Sequence, residues 1–218
     1  MHRIATCRFP TKYGLFRAHA FAGADGCEHL ALVRLRFNQV RAPVVRIHSE
    51  CITGEALGSL RCDCGAQLNE SLRRIVQAGS GILIYLRGQE GRGIGLANKI
   101  SAYALQDAGH DTVSANSALG LPVDARNYGP AVAMLLELGV RRVRLLTNNP
   151  KKVSAVEAAS IAVEERVPLV AGATVENRRY LHAKTEKLGH LLAQNIEEAL
   201  TTKTGPEPPS AGSTLCGK

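Results

Sequence analysis

Residues 44–65 read VVRIHSECITGEALGSLRCDCG, and the pattern of the whole chain changes within this stretch. Its first residues, 44–47, are β-prone and predict a strand, whereas the rest is dense in polar and reactive side chains. Three further β-prone runs precede it, separated by turn residues, at positions 4–9, 15–21 and 30–37. Together the four runs predict an antiparallel β region at the N-terminus, over residues 1–48.

After this stretch the predicted elements alternate between helices and strands. Leu68, Leu72, Ile75 and Val76 recur on one helix face and predict a helix over residues 66–77. The apolar run GILIYL predicts a buried strand at 81–86. Later helices are predicted to end near 106 and to cover 130–138 and about 176–192, and later strands to cover 143–146 and 161–167. We therefore expect a mixed α+β or α/β fold, in which an N-terminal antiparallel β region is followed by alternating helices and strands around a mixed sheet.

Composition bounds the class of protein. Hydrophobic residues make up 45% and charged residues 21% of 218 positions, which is typical of a globular domain. We expect one domain over residues 1–200 and, from its Pro, Gly, Ser and Thr content, a disordered tail over 201–218. There is no apolar run long enough for a membrane span and no signal-peptide pattern at the start, so a cytoplasmic protein is predicted. The net charge of +8 favours a polyanionic partner, either a nucleic acid or the phosphates of a nucleotide.

Three cysteines, Cys51, Cys62 and Cys64, have the spacing C-x10-C-x-C. This spacing suits one metal ion that is wrapped by a turn and approached from a second segment. Three thiolates leave one tetrahedral position for water, as in catalytic zinc sites, and zinc is favoured over iron, which stays possible. The alternative is that the cysteines are small buried hydrophobic residues. His48 and Glu50 flank the cluster and could support it or lie at the surface.

Several polar loops follow predicted strands, where ligands collect in sheets crossed by helices. The glycine-rich loop RGQEGRGIGL, 87–96, could bring backbone N–H groups to a phosphate or be a tight connection. The connection 111–128 is long and aperiodic, which favours a functional role. The cations in this half are either solvated or form a phosphate clamp: Arg87, Arg92, Lys99, Arg126, Lys151 and Lys152. Asp124 and Arg126 could form an acid and cation pair or an Asx-type turn.

These features together predict a thiolate-bound metal beside a phosphorylated ligand. Attack on an electron-poor ring carbon is the chemistry of zinc nucleobase deaminases, but their H-x-E and P-C-x-x-C signature is missing. A zinc-containing nucleic-acid-binding module is the rival from another class. Dispersed basic residues and an aromatic content of 4% argue against nucleic acid as the partner.

The motifs resemble the GTP cyclohydrolase II family, whose enzymes act at the entry to riboflavin biosynthesis. The resemblance covers about 44–192 and is carried by RIHSECITGEALGSLRCDCG, YLRGQEGRGIGL, AYALQDAGHDTV, LGLPVDARNY, LLTNNPKK and ERVPL. The glycine-rich motif is similar to that of bifunctional members with a preceding synthase domain. The chain is too short for that domain, so a monofunctional enzyme is expected.

The resemblance implies a role for each matched residue. Cys51, Cys62 and Cys64 are implied to bind Zn2+. The residues implied to bind GTP are Arg46, Ile47, His48, Ser49, Glu50, Gln67, Glu90, Gly91, Arg92, Thr112, Thr147 and Lys152. The implied catalytic residues are Asp124 as proton acceptor, Arg126 as nucleophile on the α-phosphate and Tyr103 near the zinc.

The implied reaction is hydrolytic opening of the guanine imidazole ring at C8, with release of formate and pyrophosphate. Mg2+ on the triphosphate and a homodimer are also implied, with no nucleic acid or membrane partner. A guanidinium has no free lone pair, so Arg126 could instead stabilise charge on the phosphate. Two alternatives stay open, a relative that stops at the formylated intermediate and a catalytically idle relative. Tyr103 argues for the complete reaction.

Overall fold

The structure is a computed structural model that describes residues 1–24, 26–34 and 41–191. The predicted tail over 201–218 and the last part of the predicted strand 30–37 lie outside the described residues, as does the end of the predicted helix 176–192. None of the helices in the described ranges combines the length and the apolar character that crossing a membrane requires.

The described residues form one seven-stranded mixed sheet with helices on its faces. The strands are β1 (His2–Thr11), β2 (Gly14–Ala22), β3 (Glu28–Arg34), β4 (Val44–Ser49), β5 (Gly81–Leu86), β6 (Arg142–Leu146) and β7 (Ala162–Val167). The helices are α1 (Ile52–Glu55), α2 (Cys64–Gln77), α3 (Glu90–Gly93), α4 (Leu96–Asp107), α5 (Thr112–Ala118), α6 (Gly129–Glu137), α7 (Pro150–Ala158) and α8 (Arg178–Leu188). The predicted mixed fold, with an N-terminal antiparallel region and alternating elements after it, is confirmed.

The strand order is β1-β2-β3-β5-β4-β6-β7. Strands β1, β2 and β3 pair antiparallel, and β3 pairs antiparallel with β5. The prediction that β4 belongs to the antiparallel region is wrong, because β4 pairs parallel with both β5 and β6. The physical reason is the long connection through α1 and α2, which returns the chain to the same end of the sheet so that β5 runs parallel to β4.

The segment 111–128 also differs from its prediction as an irregular connection, because it contains α5. Asp111 caps this helix through its side chain, which accepts hydrogen bonds from the backbone N–H groups of Val113 and Ser114. The sequence TVSANSA has no apolar periodicity, so only this cap could have indicated the helix.

Two apolar layers cover the sheet. On one face Ile82 and Ile84 of β5 pack in a cluster with Met134 and Leu135 of α6. On the other face Leu83, the residue between them, packs with Leu72 and Ile75 of α2. This alternation is the two-residue period of a strand that is buried on both sides.

The parallel part of the sheet positions the candidate site. Strands β4, β5 and β6 are adjacent and parallel, so their carboxyl ends lie at one edge. Cys51 follows β4, the glycine-rich loop follows β5, and residues 147–152 follow β6. The topology therefore brings three polar segments of distant sequence to the same place.

Candidate functional site

The three cysteines of the motif form a compact cluster beyond the end of β4. The Sγ atoms of Cys51, Cys62 and Cys64 all lie within 4.8 Å of one another, and those of Cys51 and Cys62 are 3.7 Å apart. Cys51 precedes α1, Cys62 lies in the turn before α2, and Cys64 is the first residue of α2. The fold therefore brings the turn that carries Cys62 and Cys64 against the second segment, which carries Cys51, as the spacing predicts.

Two glycines allow α1 and α2 to approach this closely. A Cβ on Gly54 would lie 2.5 Å from Sγ of Cys62, and a Cβ on Gly65 would lie 2.2 Å from the carbonyl oxygen of Gly54. Both distances are far below van der Waals contact. The absence of a side chain at these positions is thus a condition for the cysteine cluster.

A buried lysine lies against the cluster. The Nζ of Lys99 donates hydrogen bonds to Sγ of Cys51 at 3.1 Å, to Oγ1 of Thr53 at 2.6 Å and to Oε1 of Glu90 at 2.5 Å. Burial lowers the pKa of Lys99, but the Glu90 hydrogen bond and the Cys51 charge outweigh it and raise the pKa above its ordinary value. Lys99 is therefore a cation that favours the thiolate form of Cys51.

The three thiols cannot easily ionise together unless a cation lies between them. Hydrogen bonds from Cys62 and Cys64 lower the pKa of Cys51. The Cys51 hydrogen bond is in turn the largest cause that raises the pKa of Cys62, to about 11, and that of Cys64 well above its usual value. One ionised thiol thus suppresses ionisation of its neighbours, and a bound metal ion removes this conflict because it stabilises all three thiolates. The cluster can hold a metal ion, and the donor set matches zinc.

The cluster lines a cavity, the kind of feature in which small molecules bind. Among the predicted site residues, its lining contains Ser49, Glu50, the three cysteines, Gly91, Arg92, Tyr103, Thr112 and Arg126. Burial raises the pKa of Tyr103 to about 12, so its hydroxyl is protonated at neutral pH. Tyr103 therefore lies near the cysteines, as the resemblance implies.

A second cavity adjoins the first and is strongly cationic. The two share Ser49, Cys64, Arg92, Arg126 and Tyr180 in their linings. The second lining adds the predicted residues Arg46, His48, Gln67, Thr147 and Lys152. It contains five Arg and Lys side chains and no carboxylate among the described residues. We call it the anion cavity.

Two arginines of the anion cavity have buried donors without hydrogen-bond partners in the described part of the chain. The Nη1 and Nη2 atoms of Arg92 and the Nε atom of Arg46 are buried and have no hydrogen-bond partner within the described ranges. Burial, followed by the nearby charges of Arg46 and Arg126, lowers the pKa of Lys152 well below its usual value. Buried donors without acceptors and crowded cations are both stabilised by an anion.

Asp124 and Arg126 form a bidentate ion pair. The Nε and Nη2 atoms of Arg126 donate to the two carboxylate oxygens of Asp124 at 2.8 and 2.7 Å. The backbone N–H of Arg126 also donates to Asp124, so the ion pair and the Asx-type turn are both present. Burial would raise the pKa of Asp124, but Arg126 outweighs it and lowers the pKa. Burial would lower the pKa of Arg126, but Asp124 raises it, so the guanidinium is firmly protonated.

Three predicted residues lie behind the cavity walls instead of in the two linings: Ile47, Glu90 and Asp124. The carbonyl oxygen of Ile47 accepts a hydrogen bond from Nζ of Lys152 at 2.8 Å. Glu90 accepts one from Lys99 and another from the backbone N–H of Ile52. Their contacts therefore support residues that do face the cavities.

The cations were predicted to be either solvated charges or parts of a phosphate clamp, and their positions separate them into these two groups. Arg87 and Lys151 are exposed and lie outside both linings, as solvated charges do. Lys99 and Lys152 are buried, and Arg92 and Arg126 line both cavities. His48 is buried, with its Nε2 2.8 Å from Oε1 of Glu55, so it is not a surface residue.

The C-terminal helix and the residues after it contribute side chains to both cavities, which the sequence did not predict. Tyr180 lines both cavities, and Lys184 and His190 line the anion cavity. Burial, then the charges of Lys184 and Arg126, lowers the pKa of His190 to about 3, so its ring is neutral at neutral pH. No motif marks these residues, and the one available signal was a cation and a tyrosine on the same face of a predicted helix.

Comparisons with known proteins agree with this geometry. A sequence model of the GTP cyclohydrolase II family matches residues 2–168. The chain is 53% identical over 194 residues to "GTP cyclohydrolase-2" of Neisseria meningitidis, covering 89% of this chain and 98% of that protein. It is 50% identical to "Probable monofunctional riboflavin biosynthesis protein RIBA 3, chloroplastic" of Oryza sativa, covering 88% and 36%. It is 51% identical to "Riboflavin biosynthesis protein RibBA" of Salinispora arenicola, covering 87% and 45%. The family match over most of its length and these identities show that the chain belongs to the GTP cyclohydrolase II family of enzymes.

Proposed function

We propose that this protein hydrolyses GTP and opens the guanine imidazole ring at C8, with release of formate and pyrophosphate. The proposed product is 2,5-diamino-6-(5-phosphoribosylamino)pyrimidin-4(3H)-one, and two relatives named as riboflavin biosynthesis proteins support a role of this step in that pathway. The observation that carries the proposal is the direct junction of two cavities, one lined by three thiols that can hold a metal ion and the other by five cations. Within the described ranges, two of these cations, Arg92 and Arg46, have buried donors without a hydrogen-bond partner.

Cys51, Cys62 and Cys64 are proposed to hold zinc. A zinc ion with three thiolate ligands supplies Lewis acidity and an activated water to a substrate placed beside it. Lys99 offsets the negative charge of the thiolates, and its buried contact with Cys51 fixes that ligand. The protonated hydroxyl of Tyr103, which lines the same cavity as the cysteines, is proposed to donate a hydrogen bond to the base.

The anion cavity is proposed to take the triphosphate together with Mg2+. The Nη1 and Nη2 atoms of Arg92 can donate to phosphate oxygens without breaking any hydrogen bond found in the described residues. Arg46 and Lys152 line the same cavity, and Thr147 and Gln67 add neutral polar groups. Ser49 lines both cavities, between His48 in the anion cavity and Glu50 in the other, so we expect the ribose beside Ser49.

Asp124 and Arg126 are proposed to act on the α-phosphate. The firmly protonated guanidinium favours stabilisation of charge on the phosphate over nucleophilic attack, because attack needs a free lone pair. Asp124 keeps Arg126 in place and remains the candidate proton acceptor. A covalent nucleotide adduct on Arg126, found by mass spectrometry, would reverse the choice between the two roles.

Product analysis on GTP tests the proposal. Incubation with GTP and Mg2+ is expected to release formate and pyrophosphate in equal amounts. Pyrophosphate without formate would identify an enzyme that stops at the formylated intermediate, and neither product would refute the proposal. The family resemblance also implies a homodimer, which light scattering of the purified protein tests.

A further inference from the structure

Helix α8 lies beyond the stretch that the family model matches, yet it packs against the centre of the site. Leu181 is buried in a small apolar cluster with Ala173. Asn177, also buried, donates to the carbonyl oxygen of Gly172 at 2.7 Å and accepts from the N–H of Thr174 at 2.9 Å. These contacts fix the start of the helix on the segment 172–174 that precedes it.

An ion pair joins α8 to the turn that carries two cysteines. Nζ of Lys184 lies 2.5 Å from Oδ1 of Asp63, and both side chains are buried. Asp63 stands between Cys62 and Cys64 in the sequence and is the residue before α2. Lys184 therefore holds the one carboxylate within the cysteine turn.

The second oxygen of Asp63 continues the connection to the anion cavity. Nε2 of Gln67 donates to Oδ2 of Asp63 at 2.6 Å, and Oε1 of Gln67 accepts from Nη2 of Arg46 at 2.6 Å. Nη1 of Arg46 donates to the carbonyl oxygen of Leu146 at 3.0 Å. A continuous line of side chains, Lys184, Asp63, Gln67 and Arg46, thus runs from α8 to the last residue of β6.

Tyr180 adds a second contact between α8 and the cavity cations. Its ring centroid lies 5.4 Å from Cζ of Arg92 and 4.4 Å from Nζ of Lys184. The ring faces both cations, so it helps to orient the guanidinium whose donors are unpaired. Helix α8 consequently touches both the metal-binding turn and the arginine proposed to bind phosphate.

We propose that α8 is part of the substrate-binding site and that Lys184 is a positioning residue, which acts through Asp63 and Gln67 to hold Arg46 ready for a polyphosphate ligand. The choice of ligand rests on the proposed function. Without Lys184, Asp63 becomes a buried carboxylate whose charge has no paired cation, which is strongly unfavourable. Asp63 then shifts, and Gln67, which donates to Asp63, no longer presents its Oε1 to Arg46 in the same position.

The first test measures binding of inorganic pyrophosphate by calorimetry to the full chain. Lys184→Gln is expected to raise the dissociation constant about tenfold or more, and Lys184→Arg to restore much of the affinity. Lys12→Gln is the matched control, because Lys12 is exposed and lies in neither lining. Unchanged pyrophosphate affinity in Lys184→Gln would overturn the inference.

A double-mutant cycle separates positioning from direct contact, since Lys184 also lines the anion cavity. If Lys184 acts through Asp63, Asp63→Asn weakens pyrophosphate binding too, and the double variant is no weaker than the worse single variant. If Lys184 only touches the ligand, Asp63→Asn leaves the affinity unchanged or improves it, and that result refutes the positioning role. Should Lys184→Gln fail to fold, Asp63→Asn alone decides between these outcomes.

This test is distinguishable from a test of the proposed function. A wild-type chain that binds pyrophosphate but does not turn over GTP refutes the function, while the variants still decide the role of α8. A chain that turns over GTP with Lys184→Gln binding pyrophosphate normally refutes the role of Lys184 alone. Zinc content is measured in every variant by atomic emission. Lys184→Gln is expected to keep a zinc content near the wild-type value, because neither Lys184 nor Asp63 supplies a thiolate ligand.

Discussion

At the scale of single residues, buried charge defines this site. Lysine and arginine are seldom buried unless paired, yet Arg46, Lys99, Lys152 and Lys184 all lie below the surface around one pair of cavities. Lys99 and Lys184 have carboxylate partners, whereas Lys152 donates to a backbone carbonyl and Arg46 to an amide and a carbonyl. Arg46 and Lys152, the two without a carboxylate partner, both line the anion cavity, which is where a ligand can supply the missing negative charge.

We expect Cys62→Ser to remove metal binding, because a serine hydroxyl is a poor zinc ligand at neutral pH. Formate release should fall by more than about 100-fold, since an activated water is worth several kcal/mol. Pyrophosphate release should fall less, because the anion cavity is untouched. Zinc per chain and both products are measured, with Cys7→Ser as control because Cys7 is exposed on β1. An equal formate yield from Cys62→Ser would contradict the metal role.

His190 gives a pH prediction for stability. Its pKa in the folded chain, about 3, is below the ordinary value of 6.5. Between these values the unfolded chain binds a proton at this position and the folded chain does not, so stability falls as the pH is lowered through this window. The slope from this residue is at most about 1.4 kcal/mol per pH unit. Urea unfolding between pH 7 and pH 5 should show a smaller decrease for His190→Gln, and parallel curves for variant and wild type would refute the assignment.

At the scale of elements, the short hairpin formed by α1 and α2 determines whether a metal centre can exist. Helix α1 is one turn long and α2 begins at a ligand cysteine, so a small shift of either separates the thiols. The close approach at Gly54 and Gly65 leaves no space for that shift. The close packing of the two helix backbones therefore also fixes the distances between the three thiols.

Gly54→Ala tests this constraint. The new Cβ would lie 2.5 Å from Sγ of Cys62 and 3.3 Å from Cβ of Cys64, so the cysteines must move apart. We expect loss of zinc and a decrease in the free energy of unfolding of about 1–3 kcal/mol.

The control is Gly129→Ala at the start of α6, where the nearest atom is 3.1 Å away on the side chain of Asn127. It should keep zinc and most of its stability, as measured by metal analysis and urea unfolding. Full zinc binding by Gly54→Ala would show that the hairpin is more adaptable than its packing indicates.

At the scale of the whole molecule, the fold brings together cationic side chains that lie far apart in the sequence. The formal charge of +8 is spread along the chain, but the strand order brings five cations into the lining of one cavity. This concentration supports the proposed small polyphosphate ligand, because an extended nucleic acid needs a broad basic surface.

Pyrophosphate should therefore stabilise the whole fold. A ligand that binds only the folded chain adds about 2.7 kcal/mol at 100 times its dissociation constant. For a domain of this size the melting temperature should rise by about 5–10 °C. Thermal unfolding with increasing pyrophosphate checks this, with sodium chloride at equal ionic strength as control. Equal shifts in both salts would mean that only general screening is at work.

Much of this arrangement could be predicted from local pattern. The spacing of Leu68, Leu72 and Ile75 predicts α2, and the GILIYL run predicts β5, because periodicity reports the face that each element buries. The same pattern cannot tell which strand pairs with which, so β4 was assigned to the antiparallel region. Helix α5 was not predicted, because it buries little apolar surface and depends on its Asp111 cap.

The sequence by itself determined which reactive side chains this protein carries and how they are spaced along the chain, above all the three closely spaced cysteines and the polar loops after strands. Only the tertiary structure decided which charges are solvated and which are buried, and it did so through the parallel pairing of β4 with β5 and β6. It also placed Lys184 against Asp63, 121 residues away in the chain. The physical reason is that burial and pairing depend on distance in space, which local sequence patterns do not encode.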